Sequence, residues 1–140
     1  MARIRPTHPE TCAQEALSGL TFDAGALIAL ERRRQRIGRV FSTAVVDGLI
    51  VTVPIVVVSE WWRGRSDARE KILRGVRIEP LDLEFAKLAG KAMASVRDAT
   101  AVDALVMASA ARRGDVVYTS DFEDLSRLGH YFPSVRVLSV

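Results

Sequence analysis

The order of apolar and polar residues along the chain predicts strands that alternate with helices. Short apolar runs, typical of buried strands, occur at residues 20–22, 49–53, 76–81, 116–119 and 134–140. Stretches with helical character occur between them, at residues 24–36, 54–64, 82–96, 100–114 and 122–128. This alternation favours an α/β fold, a three-layer α/β/α arrangement around a central, mainly parallel sheet of about five strands.

One stretch fits two structures. The valines of "PIVVVSEWWRG", residues 54–64, favour a longer strand, whereas Pro54 suits the first turn of a helix and Gly64 suits its end. We predict a helix here. No element is assigned to the charged stretch at residues 65–75.

The length and composition are those of one ordinary globular domain. The chain has 140 residues, of which 49% are hydrophobic and 26% are charged, enough to bury a core without disulfides. We expect an irregular N-terminal tail over residues 1–19 and the domain over residues 20–140. The net charge of +3 mildly favours a polyanionic partner, although solubility alone also explains it.

Several classes of protein are disfavoured by single residues. The lone cysteine, Cys12, excludes an intramolecular disulfide and suits a reducing compartment, so we expect a cytoplasmic protein. His8 and His130 are far apart and have no partners at zinc-ligand spacing. The apolar run at residues 51–58 is too short to cross a membrane, and the first twenty residues contain no continuous apolar segment of a signal peptide.

Carboxylates follow the predicted strands and open the helices after them. Asp23 and Asp121 come directly after the first and fourth strands. Glu60 falls in the first two turns of the helix that Pro54 opens, and Asp103 lies one turn into its own helix. Because functional groups in open α/β sheets collect at the carboxyl ends of the strands, we expect these four side chains at one edge.

Carboxylates gathered in this way need a counter-charge. Each would raise the pKa of its neighbours and destabilise the fold unless a cation neutralised them. Four oxygen ligands without Cys or His favour Mg²⁺ or Mn²⁺ over zinc.

Each acid also has a purely structural interpretation, which the residues leave open. Asp23 suits the N-cap of its helix, and "TAVD" matches a capping box in which Thr100 caps the helix that carries Asp103. Glu60 suits an ion pair with Arg63 on the next turn.

The motifs together resemble a known family. "FDAGALIAL", "VSEWWRG" and "AVDALVMASAARRGDVVYTSDFEDLSRL", followed by the last strand, are similar in content and order to the PIN-domain ribonucleases. The resemblance is closest to the VapC-type toxins of bacterial toxin–antitoxin pairs and covers roughly residues 20–140. It implies an α/β/α fold that hydrolyses RNA phosphodiester bonds with one or two Mg²⁺ or Mn²⁺ ions. Such proteins commonly begin almost at the first strand, whereas this chain has a tail before it.

The resemblance also implies roles for individual residues. The family's four acidic positions match Asp23, Glu60, Asp103 and Asp121. Thr119 and Ser120 match a short polar motif that supports the last acid. Asp124 fits a less regular fifth acid, but it also suits the first turn of the following helix.

Partners are implied in the same way. VapC-type proteins dimerise, and a cognate VapB-like antitoxin holds them inactive with a segment inserted near the acids. For RNA contact we consider four arginines of "ERRRQRIGR", although a solvated helix face explains them equally well: Arg32, Arg33, Arg34 and Arg36. Trp61 and Trp62 are candidates for stacking on a base, but we expect at least one of them in the core or an interface.

Two other classes of function are compatible with an α/β fold. A binding module would keep the fold and the acids but sequester RNA or a protein without cleavage. A phosphoacceptor receiver domain would need paired acids after the first strand and a lysine near the fifth. Only Asp23 follows the first strand, and Lys71, Lys87 and Lys91 lie in or beside helices, so the receiver domain is disfavoured.

Overall fold

Five short parallel strands form the centre of the fold. The computed structural model describes residues 19–140, and within them the sheet has the order β3-β2-β1-β4-β5. The strands are β1 (Leu20–Phe22), β2 (Val51–Pro54), β3 (Arg77–Glu79), β4 (Val116–Thr119) and β5 (Arg136–Ser139). All four neighbouring pairs are parallel, and Phe22 of β1 lies beside Tyr118 of β4.

Seven helices connect the strands in the described part of the chain. They are α1 (Ala24–Glu31), α2 (Gln35–Asp47), α3 (Ile55–Trp61), α4 (Asp67–Gly75), α5 (Leu83–Ser95), α6 (Ala101–Arg113) and α7 (Phe122–Leu128). The predicted α/β/α fold with a parallel five-stranded sheet is confirmed.

The strand order places the helices in two layers. From β1 the chain moves outward to β2 and β3, and from β3 it returns across the sheet to β4 and β5. Because parallel crossovers are right-handed, the two directions put α1–α4 on one face and α5–α7 on the other. The direction reverses between β1 and β4, and such a reversal opens a crevice at the carboxyl ends of the two strands.

The helix α6 is the most deeply buried element. Its residues Ala104–Ala110 are all buried, as its small and apolar sequence predicted. The side chain of Thr100 caps its N-terminus, and Gly114, in the left-handed conformation, closes its C-terminus. It packs on β1, β2 and β4, and α5 covers its outer side.

Two regions differ from the sequence-based expectation. The predicted helix over residues 24–36 ends at Glu31, and Arg33 turns the chain with a positive φ of 60° before α2 begins. This turn is stabilised by burial, because it lets α2 bring Ile37 and Ala44 onto the core.

The unassigned charged stretch forms the helix α4. Ser66 caps this helix through a 3.2 Å hydrogen bond from the backbone N of Arg69, and Ile72 is its one buried residue. A single buried position on a charged helix leaves little hydrophobic periodicity to detect.

The valine-rich stretch is a helix, as predicted. Pro54 is the last residue of β2 and the N-cap of α3, and Val57 and Trp61 lie one turn apart on the buried side. Burial of these two side chains outweighs the preference of valine for strands.

A partly buried arginine links the end of α6 to β1, β3 and the residue before β4. The guanidinium of Arg113 donates to Asp115 at 2.9 Å, to Glu79 at 2.8 Å and to the hydroxyl groups of Thr21 and Ser109 at 2.9 and 2.7 Å. Glu79 and Asp115 are only 7% and 3% exposed, and Arg113 is the near counter-charge of both, while Arg112 lies farther from Glu79, at 4.0 Å.

Asp115 also fixes the start of the first strand. It accepts from the backbone N of Gly19 at 3.1 Å and from the hydroxyl of Thr21 at 2.8 Å. The ion-pair network therefore sets the position of α6 relative to β1, β3 and β4.

Several expectations concern residues 1–18, which lie outside the described part of the chain. They include most of the predicted tail, His8 and Cys12. Within residues 19–140, no helix has the length and hydropathy needed to span a membrane.

Replacement of Arg113 by alanine is expected to destabilise the fold strongly. It leaves Asp115 buried without a counter-charge and Glu79 with only Arg112, at 4.0 Å, which costs about 3 kcal/mol of unfolding free energy. Urea unfolding measures this loss. The matched control is Arg127→Ala, because the Arg127–Asp124 pair is half exposed and contributes about 1 kcal/mol or less. Equal losses in the two variants would contradict the role of the network.

Candidate functional site

Asp23 stands at the point where β1 becomes α1. Its Oδ1 accepts a 2.8 Å hydrogen bond from the backbone N of Ala26, so it is the N-cap of α1. Its Oδ2 accepts a hydrogen bond from the hydroxyl of Thr119, at the end of β4. The capping interpretation is correct for one oxygen, and the other joins Asp23 to the neighbouring strand.

Asp121 follows β4 and occupies the N-cap position of α7 without capping it. Its side chain makes no cap hydrogen bond and is exposed. Its backbone N donates to the hydroxyl oxygen of Thr119 at 2.8 Å. The buried Thr119 hydroxyl therefore contacts both segments that carry these acids.

Asp103 projects from the first turn of α6. Its backbone N donates to the hydroxyl of Thr100 at 3.2 Å, so the helix is capped by Thr100 and not by the carboxylate. The Asp103 side chain is half-buried.

The charges of these acids act on one another. The pKa of Asp23 is raised to about 6. Burial is the largest cause, the hydrogen bonds from Thr119 and Ala26 oppose it, and the negative charges of Asp121 and Asp103 add to it. Burial also raises the pKa of Asp103. Thr100 opposes that shift, and Asp121, Asp124 and Glu60 add to it. Acids from four separate segments therefore lie close enough, at the carboxyl edge of the sheet, for their charges to affect the pKa of Asp23 or Asp103.

The two remaining acids are more exposed. The expected ion pair of Glu60 with Arg63 is not formed, because the guanidinium of Arg63 donates to the carbonyl of Trp62 at 2.8 Å. Asp124 accepts a 2.7 Å hydrogen bond from Arg127 one turn later in α7. Asp124 is thus engaged on the helix surface, as the first-turn interpretation expected.

The donor atoms of this edge suit a hard cation. All are carboxylate oxygens. Burial is the main cause of the raised pKa values of Asp23 and Asp103, and the negative charges of neighbouring acids add to it, so a divalent ion would stabilise the ionised carboxylates. Within residues 19–140, however, no three His, Cys, Asp or Glu side chains already stand close enough together to hold a metal. The edge has the chemistry of a metal site without a closed set of ligands.

Ser120 packs against the first turn of α1. A β-carbon added to Gly25 would lie 1.8 Å from the hydroxyl oxygen of Ser120, so only glycine permits this close approach. The contact holds the end of β4 beside the start of α1, and sequence reasoning did not detect the part that Gly25 plays in it.

The tryptophans and arginines considered for RNA contact differ in their exposure. Trp61 is 2% exposed and donates to Glu31 at 3.0 Å, so the expectation that one tryptophan belongs to the core is confirmed. Trp62 is half-buried, with its ring centroid 5.9 Å from that of Trp61. The four arginines proposed for RNA contact are all exposed: Arg32, Arg33, Arg34 and Arg36.

A parallel α/β sheet with acidic groups at its topological switch point defines a class of protein in which the site lies between two strand ends. The sequence model of the PIN domain matches residues 20–131, and the chain belongs to the PIN domain family. The resemblance seen in the motifs is therefore confirmed. No curated protein matches the sequence significantly.

Solved structures share the fold at low sequence identity. DNA-bound VapBC from Salmonella typhimurium is 17% identical, with 87% of this chain and 98% of that chain covered and a TM-score of 0.66. VapBC2 from Rickettsia felis, bound to a promoter DNA fragment, is 9% identical, with 86% and 98% covered and a TM-score of 0.68. FitAcB from Neisseria gonorrhoeae is 20% identical, with 85% and 96% covered and a TM-score of 0.56.

The buried carboxyl of Asp23 is expected to make stability depend on pH. In the native state its pKa is about 6, against an ordinary value of 3.8, so the native state holds this proton where the unfolded chain has lost it. Stability therefore falls as the pH rises from about 4 to about 6, by up to roughly 3 kcal/mol. Asp23→Asn removes this titration and keeps an oxygen for the cap, so its unfolding free energy should fall less over that range.

Urea unfolding of EDTA-treated protein between pH 4 and 7 measures the difference. Asp47→Asn, at the exposed end of α2, controls for the loss of one surface charge. Parallel stability curves for Asp23→Asn and the wild type would show that Asp23 ionises without cost in the folded protein.

Proposed function

We propose that the protein is a metal-dependent endoribonuclease that hydrolyses RNA phosphodiester bonds and acts as a VapC-type toxin of a toxin–antitoxin pair. The observation that carries this proposal is the mutual electrostatic effect of Asp23, Asp103 and Asp121, which come from three separate segments at one sheet edge. Membership of the PIN domain family and the fold shared with VapBC structures support it.

Asp23, Asp103 and Asp121 are the proposed ligands for Mg²⁺ or Mn²⁺. When bound, the metal supplies Lewis acidity toward the scissile phosphate and lowers the pKa of an attacking water. Asp23 is fixed by its bonds to Ala26 and Thr119, whereas Asp121 is exposed and Asp103 half-buried. We infer that rotation of the two less restrained side chains completes the ligand set, which explains why it is not already closed.

Glu60 is proposed as a further ligand or as the group that orients the water. It is exposed on α3, and its negative charge is one of the causes that raise the pKa of Asp103. Asp124 is a candidate fifth ligand only if it releases Arg127. Thr119 and Ser120 support the acids without contacting the metal, because Thr119 is bonded to Asp23 and Ser120 packs on Gly25.

The proposed partners are a VapB-like antitoxin and a second copy of the chain, in the cytoplasm. The structural neighbours include VapBC and FitAB toxin–antitoxin complexes. An acidic edge that attracts a cation also attracts an inserted arginine. Large apolar side chains, which protein interfaces use, are exposed on α2 at Val45 and Val46 and near α5 at Leu81 and Leu83.

One observation favours a second candidate, a PIN-fold module that binds RNA or protein without cleavage. In the part of the chain that the structure describes, the acids do not yet form a closed metal cage. A cleavage assay separates the two candidates.

We expect Mn²⁺ or Mg²⁺ to restore RNA cleavage to EDTA-treated protein, and Asp103→Asn to reduce kcat/KM by about 100-fold or more because a charged ligand is lost. The fold should survive, because the cap bond runs to the backbone N of Asp103. A mixed RNA pool, freed of antitoxin, serves as substrate.

The matched control is Asp67→Asn, an exposed acid in the first turn of α4, away from the acidic edge. It removes the same charge and should cleave as the wild type does. Turnover by Asp103→Asn at the wild-type rate would remove Asp103 from the metal site. Folded protein that fails to cleave RNA in the presence of either Mn²⁺ or Mg²⁺ would favour the binding module.

A further inference from the structure

A cavity opens beside the acidic edge. It has a volume of about 470 Å³, and its lining includes Gly25, Ser120 and Val140 together with Arg32, Arg34 and Arg36. Ser120 directly precedes Asp121, and the backbone N of Val140 donates to the carbonyl of Thr119 at 3.0 Å. The cavity therefore lies at the carboxyl ends of the strands, next to the acids.

The turn between α1 and α2 divides the arginines between two cavities. Arg33, with its positive φ, lines a second and larger cavity of about 1120 Å³, together with Arg39 and Lys71. Arg32 and Arg36 line only the cavity beside Ser120, and Arg34 lies between the two. A continuous helix, as the sequence suggested, would not have separated these side chains in this way.

The two cavities differ in character. The larger one carries Phe41, Val45 and Val46 along α2, and the last two are exposed. Such an apolar lining suits a protein partner more than a phosphate backbone. The smaller one is lined by three arginines together with Ser120, which directly precedes Asp121.

We propose that Arg32 and Arg36 bind backbone phosphates of the RNA strand next to the scissile bond, in the cavity beside Ser120. The inference rests on the proposed function and adds the path of the substrate. Carboxylates at the edge repel an approaching phosphodiester. Guanidinium groups bind phosphate oxygens through paired, charge-assisted hydrogen bonds and so offset this repulsion beside the reacting group.

The division of the arginines supplies a matched experiment. Arg32→Ala/Arg36→Ala and Arg33→Ala/Arg39→Ala each remove one arginine from the turn and one from the start of α2, but the two pairs line different cavities. Both pairs are made in Asp103→Asn protein, so that binding of a single-stranded RNA oligonucleotide is measured without cleavage. Binding constants are determined from about 50 to 300 mM salt, the range in which counterion release is visible.

We expect the Arg32/Arg36 pair to reduce the slope of log K against log salt by about 1.4, because each lost phosphate contact contributes about 0.7 for a single strand. The Arg33/Arg39 pair should change it by less than half as much. Equal changes, a larger change in the Arg33/Arg39 pair, or no change in either would overturn the inference. So would loss of binding to purified antitoxin, with unaltered RNA binding, in the Arg32/Arg36 pair.

The proposed function is tested separately by metal-dependent cleavage in the wild type. If cleavage fails while the slopes differ as expected, the RNA path stands and the chain is a binding module. If cleavage succeeds while the slopes agree, the nuclease stands and this path is wrong. Urea midpoints of both pairs, measured alongside, show that the variants are equally folded.

Discussion

The ion-pair network around Arg113 is the interaction on which the rest of the arrangement depends. One guanidinium joins the end of α6 to Glu79 of β3, Thr21 of β1 and Asp115 before β4. A partly buried arginine with several hydrogen bonds to buried partners allows little sliding of the helix along the sheet. Because Asp103 lies on the same rigid helix, the network at one end of α6 also fixes the position of the acid at the other end.

The second constraint is the reversal of strand order between β1 and β4. It creates the crevice, and the Thr119 hydroxyl joins its two sides through Asp23 and the backbone of Asp121. The result is a carboxyl whose pKa is raised to about 6 by burial. The fold tolerates an acid that destabilises it, as is common at functional sites, where strain is retained because the chemistry requires it.

Charges of opposite sign are kept apart on the surface of the molecule. The acids gather at the strand ends, while the turn after α1 holds exposed arginines that make no ion pair with them within residues 19–140. Arg127, three residues after Asp124, pairs with it. This separation leaves the acids open to a cation and the arginines open to an anion, as a nuclease acting on RNA needs.

The sequence by itself determined the strand order along the chain, the helices that carry a buried face, and the acids at strand ends, because periodicity, caps and strand-end position are local. The pairing of β1 with β4 brings Asp23 and Asp121 together and lets Thr119 join them. No local sequence pattern shows which strands pair. The break at Arg33 and the helix α4 were missed, because a positive φ on arginine and one buried isoleucine leave almost no periodic signal. The tertiary structure also makes Arg113, at the end of α6, the centre of an ion-pair network, since only the fold brings Glu79 and Thr21 to it.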